Sequence, residues 1–126
     1  MSYIDGFVIA CREDNKDAFV RHAETADQVF MDLGATRILE CWQDDVSEGK
    51  TTDFFKAVKA EDGEAVIFSW IEWPDKATRD AAMQKMEEMM ENPTADPRMD
   101  PEKNPMPFDG ARLIYGGFTP VVTLEK

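Results

Sequence analysis

Ten residues near the middle of the chain, Glu64–Trp73, read EAVIFSWIEW. In an extended strand successive side chains point to opposite faces. Val66, Phe68 and Trp70 therefore share one face, and Ala65, Ile67 and Ile71 share the other. Both faces are apolar, which places the strand inside a sheet and demands cover on each side. Pro74 ends the strand, because proline has no amide to donate and disfavours helix in the residue before it. Asp75 then supplies a helix N-cap.

The rest of the chain supplies the partners of this strand. Tyr3 to Arg12 (YIDGFVIACR) reads as a strand, and Asp14-Asn15 caps a helix. That helix carries Phe19, His22, Ala23, Ala26, Phe30 and Leu33 at helical spacing, and Gly34 stops it. Arg37 to Val46 is a second strand. TDFFKAVKA makes a short helix capped by Thr51 or Thr52, which is expected to pack under the later loop. The helix after Asp75 carries Ala82, Met83, Met86 and Met90 on one face, a stripe better suited to filling a core than to binding Cu(I). Residues 92–110 hold five of the seven prolines and read as a long irregular loop with adaptable methionines, suited to a lid. Arg112 to Phe118 closes the series.

The order β-α-β-β-α-β predicts an α+β, ferredoxin-like fold, with a four-stranded antiparallel sheet in a single domain spanning residues 1–126. Right-handed crossovers put the first and third strands in the centre. Cys11 and Cys41 then lie on strands that are not neighbours, two spacings of ~4.8 Å apart, and are expected to be free thiols. Two helices cover only one face of such a sheet. The other face is expected to be covered by the same face of a second copy, which makes a homodimer.

The net charge of −12 opposes phosphate backbones and anionic membrane surfaces, and no basic stripe overrides it. No run approaches the ~18 apolar residues of a membrane span. The start of the chain has no basic segment leading an apolar one, so a cytoplasmic protein is expected.

The blocks RILECWQDDVSEGKTTDFFKAVKA, FSWIEWPDKATRD and MPFDGARLIYGGF, with YIDGFV near the start, closely resemble the YbaA-like family of bacterial proteins, a domain of unknown function. The resemblance covers nearly the whole chain. It implies a dimeric α+β barrel, in which two ferredoxin-like sheets pack face to face around a central cavity. Related barrels include cofactor-free monooxygenases, haem-dependent enzymes and stress-response proteins. The resemblance carries no established catalytic residues. The chain departs from the family pattern at Cys11-Arg12 and around Met83 to Asp100.

Alternation within each strand groups the polar candidates. Trp70 shares a face with Glu72, Glu40 with Trp42 and Asp44, and Asp5 with Phe7; Arg112 starts the last strand. Were these faces to coincide, a dimer cavity would hold indole rings, carboxylates and an arginine, the composition of a small-ligand site. Glu72, Glu40 and Arg112 are the catalytic candidates, since crowded carboxylates raise one another's pKa. Against this stands the bland reading, in which Glu72 and Asp44 meet water and Arg112 neutralises a neighbour. Trp42, Trp70, Asp5 and Arg79 are the ligand-binding candidates. Arg79 has a structural reading too, tying its helix to the Phe108-Asp109-Gly110 turn. His22, the sole histidine, sits on an apolar stripe and reads as a packing residue. One histidine and no CxxC argue against a zinc or non-haem iron site; haem ligation by His22 is left open only by analogy with related barrels, and no cofactor is expected. Two functions remain: a small-molecule binder, which could be a cofactor-independent enzyme acting on an apolar or aromatic compound, or a non-catalytic interaction protein whose cavity its own side chains fill.

Overall fold

The computed structural model describes residues 1–126. Strands β1 (Tyr3–Arg12), β2 (Arg37–Trp42), β3 (Glu64–Trp73) and β4 (Ile114–Phe118) form one antiparallel sheet in the order β2-β3-β1-β4. The two strands expected at the centre are there. They pair along their whole length, from Tyr3 opposite Trp73 to Arg12 opposite Glu64. Helices α1 (Lys16–Asp32), the single-turn α2 (Phe54–Ala57) and α3 (Lys76–Glu91) complete the fold.

The register sorts the side chains between two faces. Tyr3, Asp5, Phe7, Ile9 and Cys11 of β1 lie beside Trp73, Ile71, Ser69, Ile67 and Ala65 of β3. Ile38, Glu40 and Trp42 of β2 join them. This face meets α1 and α3. Trp73, Ile71 and Tyr3 pack with Ala35 and Ala82, while Ile67, Ile9 and Cys11 pack with Phe19 and Ala23. The opposite face carries Ile4, Val8, Phe68, Trp70, Ile114 and Phe118 and has no long helix over it.

Several local features differ from the sequence reading. Strand β2 ends at Trp42 rather than Val46, because the Gln43 side chain turns back to accept from the Val66 amide at 2.8 Å. Strand β4 begins at Ile114 because Gly110–Arg112 forms a single 3-10 turn, with Asp109 accepting from the Ala111 amide at 2.9 Å. Helix α2 is capped by Asp53, which accepts from the Lys56 amide at 2.7 Å, and not by Thr51 or Thr52. It packs on the open face rather than under the 92–110 loop. There Val58 closes over Ala10 and Val66 at one corner. The stripe on α3 is Ala82, Met83, Met86 and Met89, and Met90 is 72% exposed. Gly34 follows α1 with φ of 115°, a conformation that side-chain-bearing residues rarely adopt.

The 92–110 loop lies over the helix-covered side. Arg98 anchors it to Asp32 of α1 at 2.7 Å, and Asn104 meets His22 Nδ1 at 3.0 Å. Asn15 donates to the Pro107 carbonyl at 3.1 Å. Cys11 and Cys41 are free thiols, on non-adjacent strands and opposite faces.

Candidate functional site

The open face is shaped by what is missing from it. Gly6 and Gly116 are paired across β1 and β4, and the ring of Phe118 lies over both. A Cβ at either position would already touch that ring, at 3.7 and 3.6 Å respectively. Around this seat, Ile4, Val8, Phe68, Trp70, Ile114 and Phe118 line a depression of about 730 Å³. Phe118 is 61% exposed, Phe68 46% and Ile114 44%. Phe68 stands on the central strand β3 and Ile114 and Phe118 on the edge strand β4, so the exposed apolar groups extend from the centre of the sheet to one margin. Phe54 of α2 meets Phe68 edge-on at 5.9 Å, and Phe68 lies 5.7 Å from Trp70.

One charged group borders the depression. Trp70 Nε1 donates to Glu72 Oε2 at 3.0 Å, and Arg37 lies 3.9 Å from the same oxygen. Glu72 therefore has a donor and a cation beside it at the end of an apolar trough.

The other candidate residues do not gather here. Glu40, Trp42 and Asp5 lie on the helix-covered face, because Glu40 pairs with Ser69, Trp42 with Ile67 and Asp5 with Ile71. Parity within one strand does not determine parity between strands; register does.

Asp5 forms a structural knot with Trp73 and Arg79. Its carboxylate accepts from Trp73 Nε1 at 2.8 Å and from Arg79 Nη2 and Nε at 2.8 and 3.1 Å. The guanidinium of Arg79 also lies over the ring of Tyr3, 5.2 Å from its centre. The first turn of α3 is thereby tied to β1. Arg79 does not reach the Phe108-Asp109-Gly110 turn; Arg112 does. Arg112 grips Glu64 through two bonds of 2.7 and 2.8 Å and Asp109 at 3.0 Å. The hydrogen bonds from Arg112 hold the Glu64 carboxyl down at about 2.

One polar group on the helix-covered face escaped the sequence reading. Asp27 of α1 faces Glu40 of β2, and Glu40 accepts from the buried Ser69 hydroxyl at 2.5 Å. Burial first, and the neighbouring Glu40 second, push Asp27 up to about 8. The available signal was position. Asp27 falls four residues after Ala23 and three before Phe30, within the apolar stripe of α1. His22 serves as the packing residue expected, hydrogen-bonded to Asn104 and edge-on to Phe108 at 6.2 Å. No three His, Cys, Asp or Glu side chains converge closely enough to hold a metal ion, and no helix is long and apolar enough to cross a membrane.

An antiparallel sheet in the order β2-β3-β1-β4, backed on one face by two long helices, defines the ferredoxin-like class of α+β proteins. A crystal structure described as a dimeric ferredoxin-like protein from an uncultured marine organism shares this fold across 100% of both chains, with a TM-score of 0.53 at 11% identity. Residues 2–110 match a family described as a protein of unknown function (DUF1428). The chain is 52% identical over 122 residues to the uncharacterized protein YbaA of Escherichia coli K12, covering 97% of this chain and 98% of that one. The same identity and coverage hold for the uncharacterized protein YbaA of Shigella flexneri. The chain belongs to the DUF1428 family.

Proposed function

We propose that this is a cytoplasmic homodimer of single-domain subunits that packs its open sheet faces together and holds a small apolar or aromatic molecule between them. The observation that carries the reading is the depression around Phe68, Trp70, Ile114 and Phe118, mostly apolar, with Glu72 its one charged group and Tyr115 and Thr119 its hydroxyls. Exposed apolar patches of this kind mark interfaces or ligand grooves. The dimeric description of the marine ferredoxin-like neighbour supports the same assembly.

In this arrangement Trp70 and Phe68 form the walls, and Glu72, oriented by the Trp70 indole N–H, presents a carboxylate to a ligand's polar end. Glu72 is also the group best placed to move a proton if the bound molecule reacts. Of the original candidates, Trp70 and Glu72 keep a place in this site. Asp5, Arg79 and Arg112 serve the fold, and Glu40 and Trp42 belong to the opposite face.

Light scattering tests the assembly. The expected mass is that of two 14.3-kDa chains, and Ile114→Glu is expected to give a folded monomer. A wild-type monomer at micromolar concentration overturns the reading. A thermal-shift screen of small aromatic compounds then tests the ligand. A ligand present at 100 times its dissociation constant stabilises by ~2.7 kcal/mol, and Trp70→Ala should abolish the response. A dimer that responds to nothing in the screen favours the interaction protein, with Phe118 and its neighbours filling the space themselves.

A further inference from the structure

The eight residues after β4, Thr119 to Lys126, read TPVVTLEK. Thr119 and Pro120 line the open-face depression, and beyond them the chain stands away from its own subunit. Val121, Val122 and Leu124 are 92%, 75% and 91% exposed. No backbone hydrogen bond involves residues 119–126, and Glu125 and Lys126 pair with no opposite charge. Val-Val-Thr is strand-forming sequence, yet it has no strand beside it.

The far edge of the sheet has the complementary deficit. Strand β2 pairs with β3 on one side and with nothing on the other. Along its free side runs a groove of about 550 Å³ between α1 and β2. The apolar wall of the groove includes Val20, Ala23, Met31, Ile38 and Trp42, and Val20 and Met31 are 42% and 40% exposed. Its charged groups are Glu24, Asp27 and Glu40 against Arg37 alone, which makes the trough acidic. An open sheet edge with apolar pockets beside it takes an added strand. In an extended segment Val122, Leu124 and Lys126 point to one side. Laid along β2, that side brings two apolar groups to the apolar wall and an ammonium to the carboxylates.

The segment cannot make this pairing within its own chain. Strands β4 and β2 are opposite edges of the sheet, so the outer side of β2 lies four spacings of ~4.8 Å from β4, ~19 Å away. Eight extended residues span ~27 Å, and the crossing leaves only about two of them to pair. A second copy removes the obstacle, because sheets packed face to face lie ~10 Å apart, a gap that about three residues bridge.

We propose that residues 119–126 form an exchanged arm, which adds as a strand to the free edge of β2 in a second copy and seats Val122 and Leu124 in the groove between α1 and β2. A two-fold axis makes the exchange reciprocal, so both arms and both edges are used and the assembly closes. The proposal shares with the open-face reading only the second copy. What carries it is the match of segment to groove in backbone pairing, apolar side chains and charge, together with a reach that excludes the segment's own subunit.

Mixed dimers test the exchange. Chains carrying isotope-labelled valine and leucine methyls are combined with unlabelled chains, and only contacts between the two are recorded by isotope-filtered NMR. Cross-peaks are expected from the methyls of Val122 and Leu124 to the indole of Trp42 in the unlabelled chain. Sedimentation then measures association. Val122→Asp and Leu124→Asp should each raise the dissociation constant of the dimer at least tenfold, and Val20→Asp on the groove wall should do the same. Lys126→Glu should raise it by less, with an effect that shrinks as salt is added. Val122 and Leu124 stand in water within their own subunit, so their variants keep the fold, as circular dichroism would verify.

A dimer without these cross-peaks, which the arm substitutions leave unchanged, overturns the exchange and leaves the open-face reading standing. Arm variants that weaken the dimer while Val20→Asp does not would place the arm elsewhere, leave the groove to a different chain and overturn the assignment. Cross-peaks in a dimer that Ile114→Glu fails to weaken support the arm and overturn the open face. A chain still monomeric at the millimolar concentrations of NMR overturns both.

Discussion

At the scale of single residues, the molecule shows how a buried charge is compensated. Asp5, with a side chain only 4% exposed, is held by an indole and a guanidinium, and its worth lies in what happens if one partner goes. Arg79→Ala would strand a carboxylate in the core, a change costing about 3 kcal/mol or more. Urea denaturation should record that loss, and the double variant Asp5→Leu/Arg79→Met should recover most of it, since an apolar pair needs no compensation. A double variant as unstable as the single one would mean that the knot does more than neutralise charge. Little of this pairing was legible from residue types. Arg79 and Arg112 were both recognised as candidate anchors, but which carboxylate each one finds depends on where α3 and the 3-10 turn meet the sheet. Asp27 was passed over because an acid in an apolar helical stripe looks like a solvated edge until β2 is packed beside it.

Elements were far more readable than their contacts. The period-2 pattern of β3, the helical stripe of α1 and the Pro74-Asp75 break each reflect a local preference that the tertiary fold also favours, so the strand order followed from them. Helix α2 was harder, because its four residues have too few apolar positions to announce a side, and Val58, just beyond it, decides which face it covers. Register was out of reach, since it is set by pairing across strands distant in sequence. The joint between α1 and α3 illustrates how closely elements meet. A Cβ on Gly34 would come within 2.6 Å of Thr78 Cγ2, on top of the positive φ that Gly34 already requires. Gly34→Ala is therefore expected to destabilise by ~1–2 kcal/mol from the backbone conformation alone, with the clash added. In a Thr78→Ser background the clash is relieved and the backbone part stays. Thermal denaturation of the four proteins separates the two, and equal losses in both backgrounds would show the clash to be negligible.

For the whole molecule, two opposed sets of carboxyls shape stability against pH. Glu64, drawn down to about 2 by Arg112, contributes stability above the usual Glu value that is lost as pH falls through its folded value. Asp27 works the other way. Its folded pKa is raised to about 8, so its contribution is whole below the usual Asp value and is lost as pH rises toward 8. Stability should therefore peak in mild acid, between about pH 4 and 6, and Asp27→Asn should flatten the alkaline decline while leaving the acid limb in place. Urea midpoints measured across pH 3–9 check this, and a wild-type profile still rising from pH 6 to 8 would contradict the Asp27 assignment. The distribution of indoles has a different use. Trp70 stands on the open face, Trp42 beside the groove under Lys16, and Trp73 wholly inside against Asp5. Each of the three surroundings thus carries its own chromophore. Single-tryptophan versions of this chain would have built-in optical probes for association, for changes at the groove between α1 and β2, and for unfolding, each observed without an added label.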